Sequence, residues 1–136
     1  MKNETKFLGH IINGEGIKVN ETKIEAIIRF QRPKCLKQLR SFLGLCNYYR
    51  KFIKDYSRYA RVLESMCGNN KDKLIWSENC EKSFEELKKA LSDTPVLVYP
   101  DFKKDFILDT DASFDTIGAV LSQVDESGCE RVIAYG

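Results

Sequence analysis

Leu39 to Ile53 reads LRSFLGLCNYYRKFI, and the fold turns on how this stretch divides between the faces of a helix. Leu39, Phe42, Leu43, Cys46, Tyr49, Phe52 and Ile53 follow one helical stripe, in a helix that starts near Leu36. Lys37, Arg40, Gly44, Asn47, Tyr48 and Lys51 follow a second stripe, away from the expected core. A helix built only for a core would avoid the glycine, which costs about 1 kcal/mol relative to alanine. A purely solvated helix would avoid Phe42, Leu43, Leu45 and Phe52. One explanation is that a sugar-phosphate backbone approaches the helix at Gly44. Asn47 would then hydrogen-bond to it, Tyr48 would pack on a sugar, and Lys37, Arg40 and Lys51 would neutralise phosphates. The same pattern also fits a helix that bends at Gly44 and wets its polar face.

Upstream, residues 5–19 predict a β-hairpin. TKFLGHII is an apolar-rich run, NGEG is turn chemistry and IKV resumes the strand. Asn20 offers an N-cap to a helix with Ile24, Ile27 and Ile28 on one face, and Pro33 ends that helix near Phe30. Downstream, GNNKDK is a loop, and Ser77 to Leu91 predicts a helix with Phe84, Leu87 and Leu91 inward against Trp76. DTPVLVYPDFKKD is an extended connector. FILDTD, IGAVLSQV and CERVIAYG then predict three antiparallel strands separated by turns, the last two by DESG. Their apolar face needs a covering layer that no following helix supplies here, so the domain reads as cut off.

The 136 residues are globular in composition, 43% hydrophobic and 31% charged. No apolar run is long enough to span a bilayer and no secretory signal opens the chain, so an intracellular setting, cytoplasmic or nuclear, is expected. Five widely spaced cysteines without a C-x-x-C pair and a single histidine, His10, argue against a disulfide framework or a zinc site. Charge is unevenly spread: 11 Lys/Arg against 4 Asp/Glu from Glu21 to Met66, then 8 against 14 from Cys67 to Gly136. A basic middle beside an acidic end suggests two functional regions, although two ordinary solvated surfaces would look the same.

Asp109, Asp111 and Asp115 form an acidic cluster at a strand end. Carboxylates are natural Mg²⁺ ligands, and two such ions can drive phosphodiester hydrolysis. Surface acids at a strand end are also commonplace. No phosphate-binding glycine loop is present, and one histidine cannot furnish a Ser/His/Asp set with other duties to serve.

Taken in order, KFLGHIINGEGIKVNETKIEAI, FQRP, LRSFLGLCNYYRKFI, Trp76 with CEKSFEELKKAL, PVLVYPD, FILDTDAS and IGAVLSQ resemble the pol polyprotein of gypsy-type LTR retrotransposons. The resemblance covers nearly the whole chain. It implies an α+β chain of three parts. Residues 1–20 would be the end of the reverse transcriptase palm, a short β-hairpin forming the primer grip with Phe7, Leu8, Gly9 and His10. Residues 21–75 would be the helical thumb. Residues 76–136 would be the connection and the start of an RNase H-like domain with a truncated three-stranded sheet. In related retroviral enzymes a glycine and an aromatic four residues apart on a thumb helix track the minor groove, and Gly44 and Tyr48 have that spacing. The resemblance thus implies that Lys37, Arg40, Gly44, Asn47, Tyr48, Arg50 and Lys51 bind an RNA–DNA hybrid or duplex, by shape and backbone.

Asp111, in TDAS, matches the family's first RNase H aspartate, a Mg²⁺ ligand; Asp109 and Asp115 match no catalytic position. The polymerase aspartates would lie before Met1 and the remaining RNase H carboxylates beyond Gly136. The chain is therefore expected to bind template–primer but to catalyse neither reaction alone, and to hold no Mg²⁺ stably. A missing palm or RNase H portion would be its partner. The alternatives are a captured fragment serving as a protein-interaction module, or a non-functional degenerate copy. Cys35 stands where the family often has threonine, a better helix cap.

Overall fold

The computed structural model describes residues 4–68, 74–114 and 116–136. Among these residues there are two antiparallel three-stranded sheets and four α-helices. The first sheet comprises β1 (Glu4–Phe7), β2 (His10–Asn13) and β3 (Ile17–Val19). The expected single run TKFLGHII is two strands, not one, because Leu8 and Gly9 take positive φ (46° and 79°) and reverse the chain. Phe7 pairs with His10 across this two-residue turn, whose geometry follows the right-handed strand twist.

Asn20 caps α1 (Glu21–Ile28), its side chain accepting the Thr22 amide at 3.1 Å. Only Ile27 of this helix is buried. The chain then passes Pro33 and enters α2 (Leu36–Tyr48) through Cys35, which is extended and makes no capping bond. α2 is helical without a break across Gly44, so no interruption marks the glycine. It stops at Tyr48; a 3₁₀ turn (Arg50–Phe52) follows, so Lys51 leaves the helical stripe expected for it. A third helix, α3 (Tyr56–Cys67), comes next, and α4 (Glu78–Ser92) starts at Ser77, whose hydroxyl accepts the Cys80 amide at 3.3 Å.

The core lies among these helices. Leu39, Phe42, Leu43 and Cys46 of α2 meet Ala60 and Leu63 of α3 and Phe84, Leu87 and Leu91 of α4. The Phe42 and Phe84 rings are 4.6 Å apart, and Trp76 meets Phe84 edge-on at 5.7 Å, as its position before the helix predicts. Burial pushes the Cys46 thiol up to about 12, so it packs as a small hydrophobe.

The second sheet holds β4 (Ile107–Ala112), β5 (Ile117–Val124) and β6 (Glu130–Tyr135), in the order β4-β5-β6. One face turns Val132 and Tyr135 toward the helical core. The other leaves Leu108 and Ile117 63% and 71% exposed. The connector ties the two sheets together. Leu97 exchanges two backbone hydrogen bonds with Ile17 (2.8 and 2.9 Å), and the Val98 amide reaches Val132 O at 2.9 Å. Gly16 must be glycine here, since a side chain would collide with the Leu97 carbonyl.

Candidate nucleic-acid interface

The outer face of α2 carries Lys37, Arg40, Gly44, Asn47 and Tyr48, all exposed. A methyl group added at Gly44 would meet nothing within 4 Å. Neither the core nor a neighbouring helix accounts for the glycine. Arg40 reaches along the surface, its Nη2 donating to the Cys67 carbonyl at 3.3 Å at the end of α3. That contact satisfies a terminal helix carbonyl with a cation, where the helix dipole favours one.

The two tyrosines at the end of α2 turn to the first sheet. Tyr48 stays half exposed while its hydroxyl donates to Leu8 O at 2.8 Å. Tyr49 is buried and its hydroxyl donates to Gly9 O at 3.2 Å. Burial, then the neighbouring Tyr48, raises the Tyr49 pKa and so keeps this donor protonated. A β-carbon at Gly9 would stand 2.5 Å from that hydroxyl, so Gly9 is required both for its positive φ and for the fit.

His10 lies beneath this contact, its ring 5.5 Å from both tyrosine rings and 5.6 Å from Phe52, on which it stacks. Its Nε2 is buried without a hydrogen-bond partner. Burial, and then the positive charge of Lys51, hold its pKa below the usual histidine value. Lys51 is half-buried with its ammonium 5.3 Å from the Phe52 ring centre, whereas Arg50 is exposed. At the tip of the turn, Phe7 and Leu8 remain 60% and 69% exposed.

The structure thus brings Phe7, Leu8, Gly9 and His10 against the end of the helix that carries Gly44, Asn47 and Tyr48. Asp111 is elsewhere. It is exposed on β4, paired with Gly118, and lines a cleft of about 700 Å³ against α3 with Asp55, Ser57, Arg58, Arg61 and Ser113. Asp109 shares its strand face, and Asp115 lies outside the described residues. Sequence reasoning missed both Tyr49 as a donor to the turn and the α3 wall of this cleft. Tyr56, Ala60 and Leu63 are buried at helical spacing and could have disclosed α3.

Residues 76–136 match the family model of the RNase H-like domain found in reverse transcriptase. The retrovirus-related Pol polyprotein from transposon opus of Drosophila melanogaster is 39% identical over 97% of this chain, which covers 14% of that polyprotein. The chain belongs to the retroelement Pol family, at the junction of reverse transcriptase and RNase H. Among solved structures, the foamy viral protease-reverse transcriptase dRH in complex with ds DNA superposes on all of the Pol chain with a TM-score of 0.84 at 25% identity, and the match takes in 24% of that structure's chain. The foamy viral enzyme in complex with RNA/DNA hybrid gives 0.82 over 98% of the Pol chain and 18% of its own, again at 25% identity. Reverse transcriptase–RNase H proteins generally use a divalent metal. Among the described residues of the Pol chain, no group of three or more His, Cys, Asp or Glu side chains is placed to share an ion. No helix among the described residues is long and apolar enough to cross a membrane.

Proposed function

We propose that this chain is the duplex-holding part of a retroelement reverse transcriptase–RNase H, with residues 1–20 as the primer-grip end of the palm, 21–75 as the thumb and 76–136 as the connection and the N-terminal part of the RNase H-like domain. One observation carries the reading: Gly44 sits mid-helix on an exposed face with open space above it. A residue that weakens its helix and serves no internal contact is explained by an external backbone pressed against it. Lys37 and Arg40 supply cations on the same helix face, Arg50 and Lys51 add cations in the turn after α2, and Asn47 and the half-exposed Tyr48 ring supply a hydrogen bond and a sugar-packing surface. The foamy viral neighbours, held in complexes with ds DNA and RNA/DNA hybrid, support the same ligand class. Asp111 would contribute one carboxylate to hybrid cleavage, with Mg²⁺ and further carboxylates supplied from outside the described residues.

The test is binding of a labelled RNA–DNA hybrid, with Mg²⁺ present and the products resolved on a gel. The expected dissociation constant is on the order of 10⁻⁴ to 10⁻⁶ M at physiological salt, weakening steeply as salt rises. Arg40→Glu with Lys51→Glu abolishes that binding. Hybrid binding that survives the double change removes the proposal. Cleavage lost in Asp111→Asn would assign Asp111 a catalytic role in this chain.

The exposed Leu108 and Ile117 favour a second reading, in which the uncovered face of the second sheet docks a protein surface. A protein partner that still binds the Arg40→Glu/Lys51→Glu chain while hybrid does not bind the wild type selects that reading.

A further inference from the structure

We propose that the hydroxyls of Tyr48 and Tyr49 are positioning groups: they hold the Leu8–Gly9 turn against the end of α2, so that the hairpin tip and the Gly44 face meet one duplex as a single surface. The inference rests on the nucleic-acid reading above and adds the residues that give it its geometry.

The turn is poorly specified by its own residues. Leu8 has φ of 46°, a region that asparagine, aspartate and glycine occupy at little cost and leucine does not. It is also 69% exposed, so burial gives no return for the strain. The turn is held from outside. Its two consecutive carbonyls each accept a hydroxyl from consecutive tyrosines, at 2.8 and 3.2 Å, and Gly9 O also accepts the Asn20 amide at 3.0 Å. Neighbouring residues on a continuing helix would diverge by about 100°. Both tyrosines reach the same turn because α2 ends at Tyr48 and Tyr49 has left helical geometry (φ −101°, ψ 13°). Their rings meet edge to face at 4.9 Å, with the His10 ring against both.

A contact made only for stability would cover the apolar tip. This one holds Phe7 and Leu8 outward beside an exposed helix face that has its own unexplained residue, Gly44. Two local sacrifices, an exposed leucine in the left-handed region and a glycine in mid-helix, lie on elements locked together by two hydrogen bonds. A shared external partner accounts for both.

The experiment uses the whole chain with Tyr48→Phe/Tyr49→Phe, which removes two oxygen atoms and keeps both rings, and Leu8→Asn, which tolerates the positive φ while removing the apolar tip. The probe is a labelled RNA–DNA hybrid. In the double tyrosine variant, backbone amides at the Leu8–Gly9 turn exchange about fivefold to tenfold faster. Hybrid affinity falls about fivefold, while the dependence of log K on log salt keeps its slope, because that slope counts phosphates. Adding the tyrosine changes to Leu8→Asn causes no further loss, since they act through the tip. Additive losses, unchanged exchange, or a hybrid affinity equal to wild type would each overturn the inference alone. A wild-type chain that binds no hybrid at either of two salt concentrations instead marks the failure of the nucleic-acid reading, and the inference falls with it.

Discussion

At the scale of single residues, His10 reports most directly on how the first sheet meets the helices. It is the chain's one histidine, so its titration is read without ambiguity by proton NMR. Its ring is enclosed by Tyr48, Tyr49 and Phe52, with Lys51 near enough to oppose a second positive charge. The folded pKa therefore lies below the ordinary value of 6.5. For a base this sign means that the unfolded chain binds the proton more tightly. The contribution to stability is full above 6.5 and is lost as pH falls from there toward the folded pKa. A thermal midpoint that drops as pH falls below 6.5 is expected, before the carboxylates titrate. That drop is absent in His10→Phe, which keeps an aromatic ring at the site. An NMR pKa at or above 6.5 contradicts the burial described here.

At the scale of elements, α2 begins less well than it could. Cys35 is extended, as an N-cap should be, but gives no side-chain bond to the first helical turn. Cys35→Thr is expected to stabilise the chain by about 1 kcal/mol, raising the thermal midpoint by about 3 °C. An unchanged or lowered midpoint means that the first turn is already satisfied in another way. Elements whose residues announce them were legible in the sequence: the Asn20 cap, the Phe84–Leu87–Leu91 stripe behind Trp76, and β5, which spans Ile117–Val124 as the apolar run does. What could not be read was set by contacts distant in sequence. Leucine at position 8 gives no turn signal, because the turn is fixed by tyrosines 40 residues away. The connector looked merely extended, yet Leu97 is buried and bridges to Ile17. Lys51 fitted a helical stripe only on the assumption that the helix continued past Tyr48.

At the scale of the whole molecule, the cations proposed to meet the duplex and the acids of β4 fall on different parts of the fold, although Arg58 and Arg61 of the basic middle share the cleft with Asp111. Lys37, Arg40, Arg50 and Lys51 belong to α2 and the turn after it, while Asp109 and Asp111 lie on β4. The proposed duplex surface and the cleft beside Asp111 are thus separate features, linked where β6 packs on the turn after α2 and β5 packs on α3. Gly44 is proposed to be kept for an external backbone, and a comparison of the wild type with Gly44→Leu for both stability and hybrid binding tests this most directly. A β-carbon at this position meets open space and leucine favours the helix by nearly 1 kcal/mol over glycine, so the variant is expected to melt about 3 °C higher. The same side chain stands where the duplex would lie, and hybrid affinity is expected to fall by about tenfold or more at both ~50 and ~200 mM salt. A stabilised Gly44→Leu chain that binds the hybrid as tightly as the wild type would contradict the account.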